Sequence, residues 1–281
     1  MGHAVSRRVL TICTCLQENG TKVTFGRAHK LAAFVVLLVP TLALKLASQT
    51  NCDDGNGALD SAPPKNLTVQ QVIDKLGTAE SAAKQARSHY TFKQDVLMQT
   101  FSGSSVSGEF HEVTTVSYDA NGKRKEDVSY AAQPSLQGIQ LTPADMDDIR
   151  IFMPLMLTSE DIRGYKLDYD GQQHVDDLDT FVFHVSPRKI EGEQRYFQGR
   201  IWVDSQDFQI VKLCGKSGPE KVRVKKRERP QLQPLFVTYR QLVDGYWLPA
   251  FTKSDDLLQF PEGARRLRQI VKYTGYKKNG P

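Results

Sequence analysis

From Leu67 onward the chain is written in two periods. Val69, Val72, Ile73, Leu76, Ala79, Ala83 and Ala86 recur at helical spacing, which predicts one helix with one buried face. Thr68 can cap it, Gln71 stands at the reciprocal capping-box position, and Leu67 is placed to pack on Val72. Past residue 90 the period changes to alternation. Runs at 90–101, 107–119, 123–132, 165–175, 178–187, 195–204, 208–216, 235–243, 246–258 and 265–276 read as strands. Turn residues at Asp119–Gly122, Asp170-Gly171, Asp244-Gly245 and Pro261–Gly263 join neighbours into hairpins. Strands in this succession predict an antiparallel meander.

One interruption is helical. Thr142, Pro143 and Asp145 supply an N-cap, a first-position proline and an acidic first turn for a short helix to Ile149, and the apolar run 151–158 follows. That run reads either as a plug in the end of the sheet or as a Met-rich lid that packs adaptably. Several strands are apolar on both faces. In 196–203, Tyr196, Trp202 and the stem of Arg200 share one face, while Phe197, Ile201 and Val203 share the other; in 180–186, Phe181, Phe183 and Val185 lie opposite Val182 and His184. A sheet with one solvated face alternates apolar with polar. These strands therefore need cover on both sides, from the chain itself or from something bound.

The N-terminal residues belong to targeting. Arg27 and Lys30 lead into an apolar run from Leu31 to Leu44 with Ala43, Ala47 and Ser48 behind it, which predicts an export signal across residues 1–48. The run, about 14 residues, falls short of the about 20 a membrane-spanning helix needs, so cleavage is favoured over anchoring. The unusual segment before Arg27 suggests a true start nearer Val23. Residues 49–66 have the Asp, Gly, Asn and Pro content of a flexible linker, 67–277 form the folded domain and 278–281 a tail. Cys13 and Cys15 would leave with the signal. Cys52 and Cys214 remain, either paired in an oxidising compartment or with Cys214 unpaired on its strand. Gln49, Thr50 and Asn51 are a poor approach for lipid attachment at Cys52, so the product reads as a soluble exported protein rather than a lipoprotein.

Charge and chemistry narrow the classes. The net charge of +5 equals the surplus of one run, "KVRVKKRER" at 221–229, whose six basic residues face a lone Glu228. With the rest near neutral, a nucleic-acid surface is excluded. Lys221, Arg223, Lys225, Lys226 and Arg227 form either a solvated loop or a ribbon that meets a partner or anionic lipid headgroups. There is no G-x-S-x-G, H-E-x-x-H or C-x-x-C, and His89, His111, His174 and His184 are scattered. "GKS" at 215–217 lacks a phosphate loop's upstream glycine, and the acidic 168–179 segment departs from calcium-loop spacing and reads as a hairpin. No enzyme, cofactor or metal is expected.

The helix followed by a long meander, then "RYFQGRIWVD", "QIVKL", "YRQLVDGYWLPAFTKSDDLL" and "RQIVKYTGYK", resembles the outer-membrane lipoprotein-sorting (LolA-like) superfamily across about residues 67–277. It is similar in particular to exported members with a "GRIWVD" strand and a "DGYWLP" hairpin. The resemblance implies an α+β fold: a strongly curved antiparallel sheet, a half-open barrel of about ten strands, wrapped around the N-terminal helix and a short helical plug. It also implies an apolar cavity for acyl chains. The residues placed in that cavity or its lid are Val72, Leu76, Phe152, Met153, Leu155, Met156, Phe181, Phe183, Ile201, Trp202, Val203 and Trp247. The implied function is a monomeric periplasmic carrier or chaperone for lipid or lipoprotein acyl chains. The alternative is an envelope sensor or scaffold that binds a protein and transports no lipid, since envelope-stress regulators share the fold. A carrier must enclose its cargo, because exposing an acyl chain to water costs about 0.8 kcal/mol per methylene.

Overall fold

The computed structural model describes residues 49–191, 194–218, 221–224, 227–230, 232–260 and 262–279, with backbone alone for 221–224 and 227–230. The export signal, its start site and Lys225 and Lys226 lie outside the described residues.

Helix α1, Val69–Arg87, begins where the capping residues place it. Thr68 Oγ1 accepts from the Gln71 amide at 3.1 Å and the Gln71 side chain accepts from the Thr68 amide at 2.8 Å. Val72, Leu76 and Ala83 on its predicted face are buried, and Glu80 is buried among them. The strands are β1 Tyr90–Ser102, β2 Ser105–Tyr118, β3 Arg124–Ala131, β4 Tyr165–Val175, β5 Leu178–Pro187, β6 Tyr196–Asp204, β7 Ile210–Gly218, β8 Lys221–Val224, β9 Arg227–Pro230, β10 Phe236–Val243, β11 Tyr246–Phe260 and β12 Gly263–Lys278. Ten of them form one open, curved antiparallel sheet in the order β3-β2-β1-β12-β11-β10-β7-β6-β5-β4, while β8 and β9 form a separate ribbon. The fold is α+β, a half-open barrel.

Two details depart from the sequence expectation. The sheet is two meanders rather than one, because β1 pairs with the last strand, as in Val96 opposite Val271. Alternation fixes which face a residue takes but not which strand lies beside it. Asp170-Gly171 is a bulge within β4 rather than a hairpin turn; the turn falls at Asp176, where φ is 50°. The Asp244-Gly245 turn forms as expected, with φ of 49° and 87°.

The crossover from β3 to β4 carries α2, Pro143–Asp147, capped by Thr142 with Asp145 in return, then a π-helical turn at Asp148–Phe152 and a 3-10 turn at Asp161–Gly164. Ile149, Met153, Leu155 and Leu157 from this segment join Val72 and Leu76 of α1 against Phe92, Val96, Phe183, Ile201, Leu213 and Val271 on the inner face of the sheet.

Candidate binding groove and the covered outer face

The residues expected to line a cavity separate into three places. Val72, Leu76, Met153, Leu155, Phe181, Phe183, Ile201 and Val203 pack together in the inner core, with Phe152 half-buried at its margin. Met156 packs with Ala83, Tyr90 and Leu248 near the end of α1. Trp202 and Trp247 lie on the opposite, outer face with Val175, Val182, Val211, Cys214 and Val237. Of the run 151–158, residues 153–158 are buried as a plug, with Phe152 half-buried and Ile151 exposed. A void beside Met153, bounded by Met98, Asp148, Ser217, Phe236 and Gln269, measures about 10 Å³, room for about one water.

A larger concavity opens beside that core. A groove of about 560 Å³ lies between β2, the 134–142 loop and α2, walled by Phe110, Leu136, Ile139, Leu141 and Met146. Glu112, Thr142 and Arg150 stand on its polar rim, and Arg150 is held by Glu126 through two contacts of 2.9 Å. The loop is pinned where β2 has no side chain: a Cβ on Gly108 would sit 2.0 Å from the Ser135 carbonyl oxygen. The Ser135 amide donates to Glu109 O at 2.9 Å and the Gln137 amide to Thr100 Oγ1 at 3.0 Å. Sequence reasoning missed this groove. Leu136, Ile139 and Leu141 are spaced without a period in a loop rich in Gln, Pro and Gly, and their clustering comes from the fold.

Under the plug lies a buried polar knot. Arg195 reaches both Asp148 and Asp145, the latter at 2.8 Å, and Ser217 Oγ donates to Asp148 Oδ2 at 2.6 Å. Burial pushes the Asp148 carboxyl up to about 6, against the opposing pull of Ser217 and Arg195. Among the described residues Asp148 Oδ1 has no hydrogen-bond partner.

The two-faced strands find their outer cover in the chain itself. Residues 50–62, expected to be a flexible linker, run as a strap across the outside of the sheet. The Thr50 amide donates to Asp255 O at 3.0 Å, Cys52 is disulfide-bonded to Cys214, Arg200 binds Asp53 at 2.8 Å, and the Gly57 amide donates to His174 O at 2.8 Å. Asp60 exchanges backbone bonds with Gln172 at 2.8 and 2.7 Å, closing the outer edge of β4. Lys212, opposite Trp202 across the β6–β7 ladder, is buried beneath. Its Nζ donates to Asn56 Oδ1 at 2.7 Å and lies 4.9 Å from the Trp202 ring centre. Burial lowers its pKa to about 8, with Asp53 and Asp176 acting in the other direction.

The described parts of the basic run, Lys221–Val224 and Arg227–Pro230, pair as β8 and β9, with Arg223 opposite Glu228 and Val224 opposite Arg227. Among the described residues no group of three or more His, Cys, Asp or Glu side chains could hold a metal, and no helix is long and apolar enough to cross a membrane.

Fold and groove together describe a half-barrel with an apolar concavity at one margin. The chain is similar in structure to a DUF1329 family protein from Desulfovibrio piger (13% identity, TM-score 0.35, 72% of this chain and 93% of that one) and to the LolA superfamily protein NE2245 from Nitrosomonas europaea (15%, 0.30, 73% and 94%). It is also similar to MucB in the Pseudomonas aeruginosa MucA/MucB complex (11%, 0.23, 72% and 99%). No family model matches the chain, and no curated protein matches it in sequence. Likenesses this distant assign no cargo, partner or residue role.

Proposed function

We propose that this chain is an exported carrier that holds an acyl chain of a lipid or lipoprotein in the groove between β2, the 134–142 loop and α2. The observation that carries the reading is the groove itself: about 560 Å³ of concavity walled by Phe110, Leu136, Ile139, Leu141 and Met146, within the range of sites that bury small ligands. The walls supply the apolar lining, and Arg150 and Glu112 on the rim can meet a polar headgroup. The Cys52–Cys214 disulfide is consistent with export to an oxidising compartment. The β8–β9 ribbon supports an approach to anionic membranes, worth about 1 kcal/mol per basic residue near the surface.

The packed inner core favours a second reading, a sensor or scaffold that receives an apolar protein segment in the same groove. Mass spectrometry of organic extracts from the purified protein separates the two. The carrier reading expects an acyl lipid in near-equimolar amount, with Ile139→Asp losing it while the thermal transition stays within a few degrees. Protein without lipid, and Ile139→Asp extracts identical to wild type, would remove the carrier reading.

A further inference from the structure

The strap has no buried apolar side chain: Asp53, Asp54 and Gly57–Asp60 are exposed, and Cys52 and Asn56 are half-buried. Its non-covalent holds are all polar: exposed ones such as Arg200–Asp53 and the backbone bonds to β4, each worth little net, and the buried Lys212 ammonium, which donates to Asn56 Oδ1. The disulfide is thus the strongest tie between strap and sheet. Of its two cysteines, Cys52 is half-buried and Cys214 fully buried. Cys52 and Cys214 lie in a second groove, about 580 Å³, on the outer face, with Tyr196, Ile190 and Leu235 among its apolar walls. Ile190 is 64% exposed.

The chemistry of that groove suits exchange. Arg200 sits directly across the β6–β7 ladder from Cys214, and His184 sits across the β5–β6 ladder from Arg200. Lys216, two residues along β7, lines the same groove, and Arg200 is ion-paired with Asp53 of the strap. Positive charge beside a cysteine favours its thiolate, and a better-stabilised thiolate leaves faster.

We propose that the Cys52–Cys214 disulfide is a reversible latch, opened through the outer groove by a dithiol protein, and that its state decides whether the strap covers the outer face and the β4 edge. The partner's thiolate attacks Sγ of the half-buried Cys52, forming a mixed disulfide and expelling Cys214 as a thiolate beside Arg200. The partner's second thiol then attacks the mixed disulfide and frees Cys52. Two electrons and two protons pass to this chain, and the partner leaves as a disulfide. The released strap uncovers Trp202, Lys212 and Tyr239 together with the backbone edge of β4 at His174 and Gln172. This inference stands on the outer face and does not rest on the acyl-chain reading.

The test uses the full chain in its oxidised form, without denaturant. Reduction by a bacterial thioredoxin, compared with dithiothreitol at equal dithiol concentration, is followed by thiol mass-tagging. The expected result is labelling of both cysteines, at least tenfold faster with thioredoxin, and Ile190→Asp slowing the thioredoxin reaction several-fold while leaving the small dithiol as fast as before. Hydrogen exchange of the reduced protein should show Gly57, Asp60 and Gln172 amides at least 100-fold less protected, with Val96 and Val271 unchanged and the strap protection restored on reoxidation. A disulfide that resists both reagents overturns the proposal, and so do equal rates unmoved by Ile190→Asp. Strap amides that stay protected after reduction, or a sheet that loses protection throughout, overturn it as well.

Discussion

Glu80 of α1 and Arg240 of β10 form a two-pronged ion pair wholly excluded from solvent, with contacts of 2.8 and 3.0 Å. The pair is also a junction. The Ile210 amide donates to Glu80 Oε1 at 3.0 Å, and Arg240 donates onward to the carbonyls of Trp247 and Leu155. One carboxylate thus ties helix, sheet and plug together. Removing one partner strands the other charge in the core, so Glu80→Gln should cost about 3–5 kcal/mol in urea unfolding. The double change Glu80→Leu with Arg240→Met removes the stranded charge and should recover part of that, with the Ile210 amide and the Trp247 and Leu155 carbonyls left unpaired. A cost below about 1 kcal/mol for the single change would mean the pair does not hold α1 in place.

Phe183 separates a packed centre from an open one. It is fully buried in the inner core, in edge contact with Tyr169 at 5.5 Å between ring centres. In a filled core Phe183→Ala leaves a cavity and should cost about 3–5 kcal/mol. Were the centre an empty ligand chamber in solution, the same change would cost far less and would lower lipid content instead. Equilibrium unfolding and lipid extraction on the same preparation read both quantities.

Much of this fold was legible in the sequence, and the reasons mark where legibility stops. The helix and the strands of the large sheet announce themselves because period and turn residues are local properties; β6 shows its two apolar faces in Phe197, Ile201 and Val203 against Trp202. Partner choice is not local. Nothing along the chain says that β1 lies beside β12, or that Leu136, Ile139 and Leu141 meet Phe110. Asp170-Gly171 misleads because a positive φ serves a bulge as well as a hairpin turn, and Gly171 has φ of 148°. The strap carries no hydrophobic period, so its composition alone suggests a linker. The pairing of Cys52 with Cys214 is what shows it to be tied to the sheet.

Asp148 makes stability depend on pH with a definite sign. Its folded-state pKa, about 6, lies above the ordinary carboxylate value because of burial. Between about pH 4 and pH 6 the folded chain keeps a proton that the unfolded chain has lost, so this group's contribution is full below pH 4 and is lost as pH rises through 6. The loss amounts to about 3 kcal/mol. Asp148→Asn has no such proton to lose, so the difference in unfolding free energy between variant and wild type should drift by about 2–3 kcal/mol across that window and stay flat above it. A constant difference from pH 4 to pH 7 would show that Asp148 titrates normally.

Gly171 tests the strap's seat on the β4 edge with the disulfide intact. A Cβ there would fall 2.3 Å from the Asp60 carbonyl oxygen, and the backbone already sits at φ of 148°, where side chains are strained. Gly171→Val must therefore push the strap off β4 or distort the bulge. The paired bonds between Asp60 and Gln172 lie at the clash, whereas the Gly57 bond to His174 is nearer the turn and nearer the covalent tether at Cys52. Hydrogen exchange should then show Asp60 and Gln172 amides losing protection by at least tenfold, Gly57 by less, and a global cost of about 1–3 kcal/mol. Equal loss at all three amides would place the strap's hold on the edge pairing rather than on the disulfide. Unchanged protection would mean that residues 58–62 do not close this edge in solution.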